Sequence, residues 1–181
     1  MKKLGFNNLY HGSDVLFEQF SLDYLGKNGT SEGYGVYLTD NVKTAYKYTL
    51  DTGYIYDVEV ELDLPISHER KQLSRPFLKK VLKDLDEMDE FLSNYGDVDY
   101  EGFSKVMNRA LDSLMQYNDN DLDIVHDIAN THGSFEEVAE ILYKYGRYTH
   151  SLYQEDNETI IVVFNPKRIT IKSVKKPQEL I

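Results

Sequence analysis

Two short stretches of this 181-residue chain gather polar and aromatic side chains beside glycine in a way that a plain core does not require. The first is Leu9-Tyr10-His11-Gly12-Ser13. The second runs Gly33-Tyr34-Gly35-Val36-Tyr37-Leu38-Thr39-Asp40 and continues through Lys43, Thr44, Ala45, Tyr46, Lys47 and Tyr48. A histidine ending a strand, then a glycine whose backbone can be approached closely, then a hydroxyl, makes an edge to which a ligand can bind. Taken alone, the same tripeptide also suits an ordinary strand-to-turn corner. Far along the chain, Glu155, Asp156 and Glu158 stand just before the apolar run Ile160-Ile161-Val162-Val163-Phe164.

Other chemistries lack their residues. The absence of cysteine excludes a thiol nucleophile, a disulfide and a thiolate metal site, and the five scattered histidines show no ligand spacing, so no metal is expected. Ser67 and His68 are neighbours on an extended segment and point apart, which argues against a hydrolase dyad. No glycine-rich phosphate loop with its lysine is present.

Periodicity indicates the elements that must position these residues. Tyr54, Tyr56, Val58, Val60 and Leu62 alternate with Ile55, Asp57, Glu59, Glu61 and Asp63, which predicts a half-buried strand closed by Pro65. The unbroken run from Ile160 to Phe164 reads as a central strand, with a turn at Asn165-Pro166 and a further strand through Ile169, Ile171 and Val174. Asn8 to His11 reads as a first short strand. Gly26 to Gly35 form a loop from which Val36-Tyr37-Leu38 emerges.

Between about 75 and 146 four helices are expected. The first carries its stripe from Pro76 to Leu92, with Ser74 as its start and Gly96 as its stop. The second runs through Phe103 to Met115, and a short third through Leu122 to Ala129. The fourth starts at a capping box of Ser134 and Glu137 and ends at Gly146. One α+β domain, residues 1–181, with a helical insertion at 66–146, fits this order best.

The composition bounds the partners. The net charge is −11, which argues against generic nucleic-acid binding, because such binding depends on Lys and Arg displacing counterions. Residues 1–62 carry 5 basic and 9 acidic side chains, residues 63–146 carry 9 and 18, and residues 147–181 carry 6 and 4. The acidity therefore belongs to the helical block. No apolar run approaches the roughly 18 residues that cross a bilayer, and the N-terminal residues lack the apolar stretch of a secretory signal. A soluble cytoplasmic protein without a membrane partner is expected.

Taken in order, His11-Gly12-Ser13, the glycine-bearing loop, Gly35-Val36-Tyr37-Leu38-Thr39-Asp40, the short segment with Ala45 and Tyr48, Tyr56 to Leu62, and Val162 to Ile169 resemble the ADP-ribosyltransferase superfamily. The likeness is to the diphtheria-toxin and poly-ADP-ribose-polymerase branch with its His–Tyr–Glu signature, and to its small members encoded by phages and mobile elements. Tyr48 follows Tyr37 by eleven residues, the interval at which the polymerases place a second stacking tyrosine; on that spacing Tyr48 is preferred to Tyr46. The resemblance covers roughly 70 residues and none of the helical block.

It implies a split β-sheet core and NAD as substrate, without a metal. His11 would hydrogen-bond a ribose hydroxyl, and Gly12 and Ser13 would hold the nicotinamide carboxamide. Tyr37 and Tyr48 would sandwich the nicotinamide ring, and a glutamate would bind the nicotinamide ribose and stabilise its developing positive charge. The family often places that glutamate where this chain has Ile160. Glu158 shares a strand face with position 160, about 7 Å further along, and is the expected catalytic carboxylate, with Asp156 and Glu155 as the other candidates. The expected activity is mono-ADP-ribosyl transfer to a macromolecular acceptor, a protein first of all. The alternatives are NAD hydrolysis, acting as a toxin by depletion, and a catalytically silent protein that binds NAD or a partner. The segments expected to bind NAD are nearly balanced in charge, so its pyrophosphate would not meet the acidic block.

Overall fold

The computed structural model describes residues 8–24, 34–50, 52–155 and 157–179. Most of the predicted loop from Gly26 to Gly35 lies outside the described residues, as do Asp156 and the side chain of Glu155. Seven strands form one sheet: β1 (Leu9–Ser13), β2 (Val36–Thr39), β3 (Tyr54–Val60), β4 (Leu64–Ile66), β5 (Tyr148–Glu155), β6 (Glu158–Val163) and β7 (Ile169–Lys175). Their order is β4-β5-β6-β2-β1-β3-β7. The class is α+β, as the sequence indicates. The chain divides into two compact units, Met1–Pro65 with Thr149–Ile181, and Ile66–Tyr148.

In the first unit the alternation of β3 does what period two requires. Tyr56 and Val58 join Leu9, Val36, Leu38, Ile161 and Val163 in a buried cluster on one face. The apolar run of β6 lies between β5 and β2, the central place that its burial on both faces demands. Pro65 does not close a strand; it sits within β4, at the sheet's edge, where a residue with no N–H to donate is tolerated.

The helix α1 (Val42–Lys47) packs against β1. It comes so close that a Cβ on Gly12 would overlap the carbonyl oxygen of Ala45. Gly12 is therefore required for space, on the face opposite the buried cluster. Asn41 caps α1 by accepting from the Lys43 N–H, which leaves the neighbouring Asp40 available for another contact.

The second unit holds α2 (Arg75–Lys83), α3 (Met88–Ser93), α4 (Val98–Glu101), α5 (Phe103–Tyr117), α6 (Asp121–His132) and α7 (Phe135–Gly146). Six helical segments thus replace the four expected. The stripe from Pro76 to Leu92 belongs to two helices, α2 and α3. Around the break Asp84 caps α2 and pairs with Lys144, and the Asp86 N–H donates to Glu137. Apolar spacing is kept across the break, with Leu85 buried, so the stripe alone could not reveal it.

Ser74 caps α2 as expected, and Ser134 caps α7 by accepting from the Glu137 N–H. The other half of the predicted capping box is absent from the observed bonds: the Glu137 carboxylate meets His132 and the Asp86 N–H instead. At the end of α7 the left-handed residue is Arg147, at φ 59°, and Gly146 is still helical. Glycine is needed at 146 because a Cβ there would overlap the ring of Tyr148.

Two buried polar groups make the fold testable. Asp121, 2% exposed, accepts from the backbone N–H groups of Gln72 and Leu73 at 2.8–3.0 Å, tying the start of α6 to the chain entering α2. Asp121→Ala is expected to destabilise the protein by about 1–3 kcal/mol, since the buried Leu73 N–H and the part-buried Gln72 N–H lose their acceptor, and Asp121→Asn by about half as much; urea unfolding measures both. In β5, the hydroxyl oxygen of Thr149 accepts from the Asp63 N–H at 2.9 Å and also lies 2.9 Å from Nδ1 of His150, so the two side chains share one hydrogen bond. Nε2 of His150 is buried without a partner.

Burial pushes the His150 pKa down to about 4, with nearby Asp63 opposing the shift. The unfolded chain therefore takes up a proton near pH 6.5 that the folded chain refuses until about pH 4. The His150 contribution should be complete above pH 6.5 and fall by about 2 kcal/mol between pH 7 and pH 5, so stability drops over that range and drops less in His150→Gln. Equal unfolding midpoints at pH 7 and pH 5 would contradict this.

Candidate active site

The strands β1 and β2 share a single register pair, Tyr10 with Thr39, whereas β1 pairs with β3 over five positions and β2 with β6 over four. Beyond Tyr10 the join between β1 and β2 is made by a side chain. His11 Nδ1 lies 2.8 Å from the Tyr37 carbonyl oxygen. A carbonyl only accepts, so Nδ1 carries the hydrogen, and in the neutral ring Nε2 presents a lone pair.

The neutral form is the favoured one. Burial lowers the His11 pKa, against a smaller raising effect of the bond to Tyr37. The imidazole stands among aromatic rings: Phe20 at 5.1 Å and 82°, Phe17 at 6.0 Å and Tyr56 at 6.2 Å between centroids. Tyr56 fixes that enclosure. Its hydroxyl accepts from the Phe17 N–H at 2.8 Å and donates to the Val15 carbonyl at 3.1 Å, and its ring stacks on Phe17 at 4.1 Å. Burial raises the Tyr56 pKa, which keeps the phenol protonated for that donation.

On the other face stand Tyr37 and Glu158. Tyr37 pairs with Val162 and Thr39 with Ile160, so alternation puts Tyr37, Thr39, Ile160, Val162 and Glu158 on one face. Glu158 is the first residue of β6 and pairs with Glu155 of β5, and Asn157 just before it takes φ 65°. Both of its carboxylate oxygens are held. Oε1 accepts from the Thr39 hydroxyl at 2.7 Å and Oε2 from the Thr44 hydroxyl at 2.9 Å. Asp40 secures the next residue, accepting from the Thr159 N–H at 2.9 Å while its own N–H donates to the Thr159 carbonyl at 3.2 Å.

The remaining candidates border this arrangement. Gly12 lies against α1, and Tyr48 is the residue that caps the end of α1, with its side chain 48% exposed. Ser13 is nearly buried and its hydroxyl oxygen accepts from the Val15 N–H at 3.1 Å. The structure thus groups Gly12, Tyr37, Tyr48 and Glu158 around α1 and the face of β2 that carries Tyr37. His11 and Ser13 alternate to the opposite face of β1, and His11 reaches the seam from there.

Sequence reasoning missed Thr39 and Thr44 as partners of Glu158, and Phe17, Phe20 and Tyr56 as the enclosure of His11. For Thr39 a signal existed, since it stands two residues after Tyr37 on the same strand face.

No group of three or more residues able to hold a metal occurs among the described residues. No helix among them is long and apolar enough to cross a membrane. Comparison with known proteins bears on the chemistry. No curated protein and no solved structure matches the chain. One family model does match, and it spans residues 6–178, including every candidate residue named above. A histidine that joins the Tyr37 carbonyl at a parted seam, and a carboxylate clamped on the strand face that carries Tyr37, therefore lie in a chain that belongs to the family described as ADP-ribosyltransferase in polyvalent proteins, and it is a transferase of that class.

Proposed function

We propose that this chain is an NAD-dependent mono-ADP-ribosyltransferase of the His–Tyr–Glu branch, passing ADP-ribose to a macromolecular acceptor, a protein first of all. The observation that carries the reading is Glu158, a carboxylate with both oxygens fixed on the face of Tyr37.

The residues present fit NAD in three respects. Neutral His11 offers an Nε2 lone pair, which suits a ribose hydroxyl as donor. Tyr48 exposes half of its side chain at the end of α1, and a phenol ring suits the flat face of nicotinamide. Each oxygen of Glu158 is engaged by one threonine and keeps lone-pair capacity for a substrate hydroxyl. NAD supplies a bond from the ribose C1′ to a pyridinium nitrogen; its electron pair leaves with nicotinamide, and the acceptor's nucleophile bonds to C1′ and gives up its proton.

The chain's part is orientation and charge. In this reading the Gly12 backbone holds the carboxamide, Tyr37 and Tyr48 enclose the ring, His11 orients a ribose from the seam, and the Glu158 carboxylate stabilises the positive charge that grows on the sugar. A fixed charge of this kind is worth roughly a hundred- to a thousand-fold in rate, because it is already oriented when the charge develops.

Incubation with labelled NAD and total cellular protein tests the reading. Wild type should label macromolecules and release nicotinamide, and Glu158→Gln should lower both by about a hundred-fold or more. Equal labelling by the two would remove Glu158 from its role. Nicotinamide release without any labelled macromolecule would replace the acceptor with water.

A further inference from the structure

We propose that Thr39 and Thr44 are positioning residues for the transfer reaction, a pair of hydroxyls that holds Glu158 in its working orientation. The proposal rests on the assignment of Glu158 as the catalytic carboxylate. A glutamate at the start of a strand has three rotatable side-chain bonds and, left to itself, samples several rotamers. Here one hydroxyl engages each oxygen, Thr39 from β2 at 2.7 Å and Thr44 from α1 at 2.9 Å, so neither a turn of the carboxyl group nor a change of rotamer is possible without breaking a bond.

The proton of Thr39 has one place to go. Its oxygen accepts from the Asn41 N–H at 3.0 Å, and because the Glu158 carboxylate can only accept, the single hydroxyl hydrogen goes to Glu158. Thr44 makes the same commitment from a different element. A threonine within a helix commonly returns its hydroxyl to a backbone carbonyl of the preceding turn, whereas the Thr44 hydroxyl donates across to β6. Asp40, between the two threonines' segments, pins Thr159 and so fixes the backbone on which Glu158 stands.

The clamp also joins two parts of the site. Thr44, the Ala45 carbonyl that crowds Gly12, and Tyr48 all belong to α1 or its end. One short helix therefore sets the carboxylate, the approach to the Gly12 backbone and the exposed tyrosine. Neither threonine need touch the substrate. Their effect passes through Glu158, and should appear in turnover, not in NAD affinity.

The test uses the full chain, with nicotinamide release from NAD in the presence of total cellular protein as the rate. Thr39→Val and Thr44→Val keep the side-chain shape and remove the donor. Each is expected to lower kcat about ten-fold and both together more, with KM for NAD within about two-fold of wild type. Thr39→Ser and Thr44→Ser restore the hydroxyl and should return kcat to within a few-fold of wild type. Wild-type kcat in both valine variants, with Glu158→Gln inactive, would overturn the clamp and leave Glu158 in place. Serine variants as slow as the valine ones would also overturn it, since a methyl and not a hydroxyl would then matter. Full activity of Glu158→Gln would overturn the clamp together with the reading on which it rests.

Discussion

The site depends on how β1 and β2 are held together while not fully paired. One register pair joins them, and after it a single hydrogen bond from the His11 ring to the Tyr37 carbonyl takes the place of a ladder. A ladder would close the gap and an absent bond would let the strands drift. The imidazole keeps them apart at a fixed separation. It can do so because its other face is packed: Phe17, Phe20 and Tyr56 surround it, and the Tyr56 hydroxyl binds the backbone at Val15 and Phe17. The same burial that fixes the ring also keeps it neutral, so one nitrogen is spent on structure and the other is left to accept.

On β6 the constraint is register. Side chains alternate, so a slip of one residue would turn Glu158 away from the face of Tyr37. Three features oppose that slip. The turn at Asn157 sets the β5–β6 pairing, Asp40 captures Thr159 from the end of β2, and Thr39 and Thr44 capture Glu158 itself. The helix α1 adds a steric condition, since only glycine at position 12 allows it to lie against β1. Short-range chemistry on three elements thus determines where one carboxylate points.

Much of this was legible in the amino-acid sequence. Alternation located β3, a continuous apolar run located β6, and Ser74 and Ser134 marked two helix starts where the caps form. The ordered His11, Tyr37 and Tyr48 stretches led to the superfamily that the family match supports. What escaped had physical reasons. β5 carries Thr149, His150 and Ser151 at buried positions, so it shows no apolar pattern, and its polar groups are satisfied largely by hydrogen bonds. The break between α2 and α3 preserves the apolar spacing across it. Glu137 was expected to complete a capping box, but tertiary contacts with His132 and Asp86 took its carboxylate. The partners of Glu158 lie 119 and 114 residues away along the chain, and no local rule reaches that far.

In the proposed reaction the carboxylate at the first position of β6 serves the sugar of NAD. A crystal structure of the full chain with a non-hydrolysable NAD analogue tests it most directly. A Glu158 oxygen is expected within hydrogen-bond distance of the nicotinamide-ribose 2′-hydroxyl, with both threonine bonds retained and the Tyr48 ring against the nicotinamide. An analogue bound with another carboxylate at that hydroxyl, or bound away from the seam between β1 and β2, would contradict it.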